Sequence, residues 1–434
     1  MSKNGFIGLW AAISIGVGGM IGAGIFSILG LACQIAGNAV YISFILAGIV
    51  ALLSTYSYAK LGSTYPSAGG PVEFLVRGFG PGILSGGFNI LLWIGYVFAL
   101  ALYAKAFGAY ARTFLPSSAS QIWADVFAVA IVLVFTAINV VGSKAVGRSE
   151  FLIVAIKVVI LVGFGIAGLF FVKPTLLSVS QWPHASNVLF AAGIVFLGFE
   201  GFGLITNAAE DMRSPEKTLP RALYMSVVIV IGIYVLVSLA VIGNLSAPAI
   251  IKAKEYTLAE AARPFLGLLG FKIMAIAALF STASAINATL YGGSNVSYMI
   301  AKEGELPEIF EWKSWAGSTE GLFITSGMVI AFTILFNLGG IAMLGSASFL
   351  LIYAAVNVAH LRLCKETGAN VYIIWASIIG CLSAFIILIY YELNHSILTL
   401  AALAIALALS FFAEWAYRSY SQRTLRVRSQ RGSK

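Results

Sequence analysis

Apolar residues run almost unbroken through twelve stretches of the chain, and polar residues gather in the short intervals between them. The stretches cover 7–34, 40–60, 83–108, 123–142, 151–172, 187–208, 222–243, 267–299, 322–337, 343–363, 372–391 and 396–417. A helix needs about 20 apolar residues to cross a bilayer, where every backbone N–H and C=O has to be satisfied within the segment. The pattern predicts an all-α polytopic membrane protein with 12 transmembrane helices. Spans 322–337 and 343–363 are separated only by Asn337 to Ala342. Between the second and third spans, Pro66, Gly69, Gly70 and Pro71 force turns. Val72 to Phe79 then shows an apolar face with Glu73 and Arg77 four apart, which predicts a short interfacial helix. The polar interval 302–321 has room for a similar surface helix.

Two spans interrupt their own helical pattern. In Ser14 to Ser27, read SIGVGGMIGAGIFS, Gly16, Gly18, Gly19, Gly22 and Gly24 fall within nine residues. Each glycine costs a helix about 1 kcal/mol relative to alanine. The density predicts a break, and in lipid a break is tolerable only where the freed backbone meets protein, water or a solute. Spacings such as Gly18-x-x-x-Gly22 also suit close helix packing. Span 6 repeats the theme with Gly198, Gly201 and Gly203 around the acidic Glu200. If span 6 opens a second half, spans 1–5 and 6–10 are two units of five helices, and an odd number makes the repeat inverted. The expected organisation is a first repeat over 1–172, a second over 173–363, two further helices over 364–417 and a basic tail over 418–434. Interrupted helices at equivalent places in inverted repeats point to a substrate site near the bilayer midplane.

Composition narrows the function. Apolar residues make up 60% of the chain and charged residues 10%, too much apolar surface for a water-soluble core. The first apolar run is too long for a signal-peptide h-region. Of 26 Lys and Arg, 18 fall in the tails and in the loops on the N-terminal side of the bilayer, and six on the other. This bias predicts a multi-pass cell-membrane protein with both termini cytoplasmic, and it turns the net charge of +9 into a topology signal rather than a nucleic-acid one. Glu210, Asp211, Arg213, Lys217 and Arg221 are expected to pair in a cytoplasmic loop. The three cysteines and three histidines show no metal spacing, and there is no catalytic triad and no phosphate loop. Neither an enzyme, a metal nor a cofactor is expected; His360 with Cys364 is the nearest approach to a reactive pair. Oligomeric state is not written in the sequence.

The interrupted helices carry candidate chemistry. A half-helix starting near Gly22 offers free N–H groups and a positive dipole end, which places a substrate carboxylate on the backbone of Gly22, Ala23 and Gly24. Unwound carbonyls of Met20, Ile194 and Leu197 would accept an ammonium. Trp93, Tyr96, Phe196, Phe199 and Phe202 are candidates to line or gate the pocket, with simple helix packing as the alternative. Lys157 interrupts the apolar run FLIVAIKVVILVGF. A charge near the bilayer centre costs at least ~2.5–3.5 kcal/mol. It either snorkels to the headgroups or, desolvated, titrates near neutral pH and carries a proton. Glu200 leaves three roles open: proton carrier, gate, or a neutral hydrogen-bonded acid.

The combination of Gly22-Ala23-Gly24-Ile25-Phe26, Tyr65-Pro66-x-Ala68-Gly69-Gly70-Pro71, Gly198-Phe199-Glu200, Asn207 to Arg221, and Asn287-Ala288-Thr289-x-Tyr291-Gly292-Gly293 resembles the amino acid–polyamine–organocation superfamily. Lys157 and the stretch 287–306 are similar to an archaeal proton-coupled amino acid transporter of that superfamily, which lacks the acid that the wider family often has at the position of Glu200. The resemblance implies a LeuT-type five-plus-five inverted repeat with two added helices. It also implies a secondary transporter in which Lys157 stands in for a coupling sodium, bonding the carbonyls of Gly18 and Ile21 and the hydroxyls of Ser281 and Ser284. Proton-coupled uptake of small and apolar L-amino acids follows from that likeness. A proton-independent exchanger of amino acids or polyamines is the alternative.

Overall fold

The computed structural model describes residues 7–22, 24–116, 118–141, 146–302, 310 and 320–421. Within them the chain is a bundle of fifteen α-helices, and the described residues contain no β-strand beyond a one-residue bridge between Ile7 and Met212. The helices are α1 (Leu9–Met20), α2 (Leu29–Ala36), α3 (Val40–Thr64), α4 (Pro71–Phe79), α5 (Ile83–Arg112), α6 (Ile122–Val141), α7 (Val146–Phe170) and α8 (Ala185–Val195). They continue as α9 (Pro215–Asn244), α10 (Ala247–Ala253), α11 (Thr257–Lys302), α12 (Glu320–Leu335), α13 (Leu338–Thr367), α14 (Val371–Leu393) and α15 (Ile397–Ser421). Ten apolar helical runs are long enough to cross a membrane, the first of them holding two spans, and α12 is a shorter apolar helix. These fall on the twelve predicted spans.

Helix α5 is buried along nearly its whole length and packs against α6, α11, α13 and α15. Helices α6, α14 and α15 form part of the rim, with Leu133, Val134, Ile379, Ile386, Leu398 and Ile405 exposed as a surface facing lipid would require. Spans 8 and 10 start where local chemistry sets them. Gly267 takes φ 61° and ψ −155°, outside the range of ordinary L-residues, and divides α11 into a short outer helix and span 8. The predicted interval 337–342 is shorter than expected because Asn337 acts as an N-cap: its side chain accepts from the Gly340 N–H at 2.8 Å, so α13 begins at Leu338. Asn337→Ala is expected to cost about 1 kcal/mol. The thermal unfolding midpoint in detergent should fall, and Asn337→Asp should restore it.

Helix α4 forms as predicted, with Arg77 Nε 2.5 Å from Glu73 Oε1, but it is packed rather than interfacial. Val72, Phe74 and Leu75 are buried, and Gly78 abuts the backbone of Ala359 on α13. The surface helix expected in 302–321 lies mostly outside the described residues, as do residues 422–434 of the tail. Among the described residues Glu210, Asp211, Arg213, Lys217 and Arg221 form no ion pair and are exposed to solvent, where long side chains gain little from pairing. His360 is fixed by Ser57 and Thr367, each at 2.9 Å, which makes it a satisfied buried histidine rather than a partner for Cys364.

Candidate functional site

Span 1 breaks where the glycines predict. Helix α1 ends as the Ile21 N–H donates to the Val17 carbonyl at 2.8 Å. Ile21 then turns at φ −82° and ψ 68°, and the Gly22 N–H donates to the Met20 carbonyl at 2.9 Å. These are the angles and the bond of an inverse γ-turn. After Ala23, which lies outside the described residues, a π-helical turn over Gly24–Ile28 leads into α2. The Gly22 N–H is thus bonded within the chain in this conformation, and Gly24 begins the new helical turn.

Span 6 behaves differently. Helix α8 runs without a gap into a 3-10 segment, Phe196–Asp211, so the chain tightens its winding instead of unwinding. Ile194 and Leu197 flank that transition inside continuous helical backbone, with their side chains buried. The two spans meet glycine on glycine. A Cβ on Gly24 would lie 2.8 Å from the Cα of Gly198, and one on Gly19 would lie 3.2 Å from the Cα of Gly201. The glycines therefore serve both readings at once: close packing at Gly19 and Gly24, a helix break between them.

Three side chains from other spans reach the break. Lys157 on α7 is 3% exposed, and its Nζ donates to the Gly18 carbonyl at 2.8 Å. Ser281 on α11 is buried and donates to the Ile21 carbonyl at 3.0 Å. Ser284 is half-buried one turn on and makes no hydrogen bond among the described residues; Ala285 packs against Gly22. Tyr234 on α9 was not singled out by sequence. Its hydroxyl oxygen lies 2.6 Å from the Met20 carbonyl and 2.9 Å from the Gly198 carbonyl, bridging both interrupted spans.

Glu200 is 3% exposed. Its Oε2 lies 3.5 Å from the Tyr103 hydroxyl, Oε1 has no partner among the described residues, and its backbone carbonyl accepts from Tyr353 at 2.7 Å. The aromatic candidates divide by direction. Phe199 packs edge-on to Tyr234 at 5.2 Å, Phe202 stacks on Tyr353 at 5.0 Å, and Phe196 meets Tyr353 at 5.6 Å. Tyr96 packs on Phe349 of α13. Trp93 turns towards α12, donating to Thr325 Oγ1 at 3.0 Å and packing on Phe310.

The arrangement offers broken helical backbone at the centre of a membrane bundle, a buried ammonium and hydroxyls on its carbonyls, and, among the described residues, no nucleophile paired with a base. It suits binding of a small zwitterion better than bond-breaking chemistry. Comparison with known proteins agrees in kind. The sequence model described as amino acid permease matches residues 7–411. A protein of Methanocaldococcus jannaschii described as uncharacterized is 45% identical, over 97% of both chains. The inner membrane transport protein YbaT of Escherichia coli is 37% identical over 88% of this chain and 89% of its own. The serine/threonine exchanger SteT of Bacillus subtilis is 26% identical over 69% of each.

Proposed function

The chain belongs to the amino acid permease family, and on that premise we propose that it takes up small and apolar L-amino acids in symport with protons. It does so across the cell membrane with both termini cytoplasmic, on a five-plus-five inverted repeat. The observation that carries the reading is the Lys157 ammonium on the Gly18 carbonyl, beside Ser281 on the Ile21 carbonyl. Those two bonds hold the broken first span to spans 5 and 8. An amine loses two of its charge-assisted features, the positive charge and a donor, when it deprotonates. Protonated Lys157 therefore favours the outward-open arrangement. Proton loss to the cytoplasm loosens span 1, and the bundle rocks to release substrate inward. Glu200, with an Oε1 that has no partner among the described residues, is the second group able to carry the proton.

In this scheme the substrate carboxylate sits on the amides of Gly22, Ala23 and Gly24, with the Gly22 amide released from the Met20 carbonyl, and the ammonium sits between spans 1 and 6, on the Met20 carbonyl and a span-6 carbonyl at Gly198 rather than at the helical Ile194 and Leu197. Backbone atoms do the recognising, so many side chains fit, and the surrounding phenylalanines limit size. The proton is the coupling ion, and no metal or other cofactor takes part.

The test is alanine uptake into proteoliposomes, without sodium, under an imposed inward proton gradient. Accumulation that collapses with a protonophore supports symport. Uptake indifferent to the gradient, with counterflow intact, assigns the chain instead as an exchanger, the reading favoured by its likeness to a serine/threonine exchanger.

A further inference from the structure

The carbonyl best placed to take a substrate ammonium is already full. The Met20 carbonyl has two lone pairs, and it accepts from the Gly22 N–H at 2.9 Å and from the Tyr234 hydroxyl at 2.6 Å. The same hydroxyl lies 2.9 Å from the Gly198 carbonyl, and it has one proton to share between two acceptors. So a point between spans 1 and 6 is flanked by two carbonyl oxygens, and one neutral hydroxyl is the side-chain donor that serves both. A primary ammonium carries three N–H donors and a positive charge, and bonds to charged donors are roughly twice as strong as neutral ones. It would satisfy both carbonyls where Tyr234 satisfies them only in part.

Tyr234 is held at this point from both sides. It is fully buried, with Phe44 and Phe199 edge-on to its ring, each at 5.2 Å. Gly24 and Gly198 leave room for the hydroxyl: a Cβ on either would stand 3.1 and 3.5 Å from Oη.

We infer that the Tyr234 hydroxyl stands in the seat a substrate ammonium takes, and that a substrate enters by displacing it from the Met20 and Gly198 carbonyls. The inference rests on the reading of this break as an amino acid site. Tyr234 is then a specificity-determining residue for the ammonium rather than for the side chain. Ligands with an amine can exchange it, because they return a stronger donor. A carboxylate without an amine, such as propionate, would leave two buried carbonyls short of donors and is rejected. The hydroxyl also keeps the two spans together while no ligand is bound.

The experiment measures alanine and propionate binding to wild type and Tyr234→Phe in detergent, with thermal stability in each case. Removing the hydroxyl leaves the empty site under-supplied with donors and removes the competitor. Alanine should bind the variant roughly five- to tenfold more tightly, the effect of about one hydrogen bond. The variant should melt lower than wild type without ligand and recover on alanine, so its alanine-induced shift is larger. Propionate should bind neither protein. Weaker alanine binding to a folded variant would overturn the inference, because it makes the hydroxyl a substrate ligand or a structural strut. If Tyr234→Phe does not fold, a structure of wild type with alanine bound decides. Oη should stand beyond 3.5 Å from both carbonyls, and an unmoved hydroxyl overturns the inference. Wild type that binds no amino acid at all sinks the functional reading itself, which is a separate result.

Discussion

Lys157→Met is expected to equilibrate alanine across a proteoliposome membrane but never to concentrate it. Wild type with one proton per substrate should reach about a tenfold gradient of alanine per unit of imposed pH difference, because one pH unit is 1.36 kcal/mol. An inside-negative potential of 100 mV adds ~2.3 kcal/mol for the single inward charge. Methionine keeps the length and the apolar stem of a side chain that lines one groove with Ile153, Ile156, Ile160, Ile273, Ile276 and Phe280. It cannot bond the Gly18 carbonyl or carry a proton. That carbonyl then loses its ammonium donor, a cost of ~1–3 kcal/mol, so a lower melting temperature accompanies the lost accumulation. Counterflow separates the two effects. A variant that exchanges labelled alanine at a wild-type rate but accumulates none has lost coupling rather than fold. Accumulation that survives would make Lys157 a structural tie and move the proton to Glu200, a buried carboxyl whose Oε1 has no partner among the described residues.

How far the site was legible depends on how local each feature is. The break in span 1 was legible because glycine weakens a helix by its own backbone freedom, whatever surrounds it. Span 6 has the same signature, yet it tightens into a 3-10 segment. Gly198 and Gly201 are there to let Gly24 and Gly19 approach, which is a property of two spans and not of one. Lys157 stands out in any apolar run, but its partner Gly18 lies 139 positions away and came from family likeness, not from spacing. Tyr234 gave no signal. In the run IVIGIYVLV a tyrosine reads as one more membrane-filling ring, and only its distance to two carbonyls gives it a role. Trp93 could not be aimed at all. Helix α5 is buried on every face, so its sequence has no polar side to fix which way the indole points.

Gly201→Ala is expected to be strongly damaging at the contact between spans 1 and 6. The added Cβ would stand 2.5 Å from the amide nitrogen of Met20 and 2.7 Å from the carbonyl oxygen of Gly19, and would meet the carbonyl carbon of Gly19 as well. Overpacking costs typically ~1–3 kcal/mol when side chains can rotate away. None can here, because all three atoms are main chain, so spans 1 and 6 have to part. The cost should reach or exceed the upper end of that range. Parting them also displaces Met20, whose carbonyl takes part in both the inverse γ-turn and the Tyr234 bond. Stability and alanine binding should therefore fall together, by several degrees of melting temperature and by an order of magnitude or more in affinity. Gly163→Ala supplies the control. Gly163 is exposed on α7 with nothing within 4 Å of an added Cβ, so the same methyl there should leave both readouts near wild type. A Gly201→Ala protein that melts and binds like wild type would show that the two spans do not need this approach, and the packing of the site as described would be wrong.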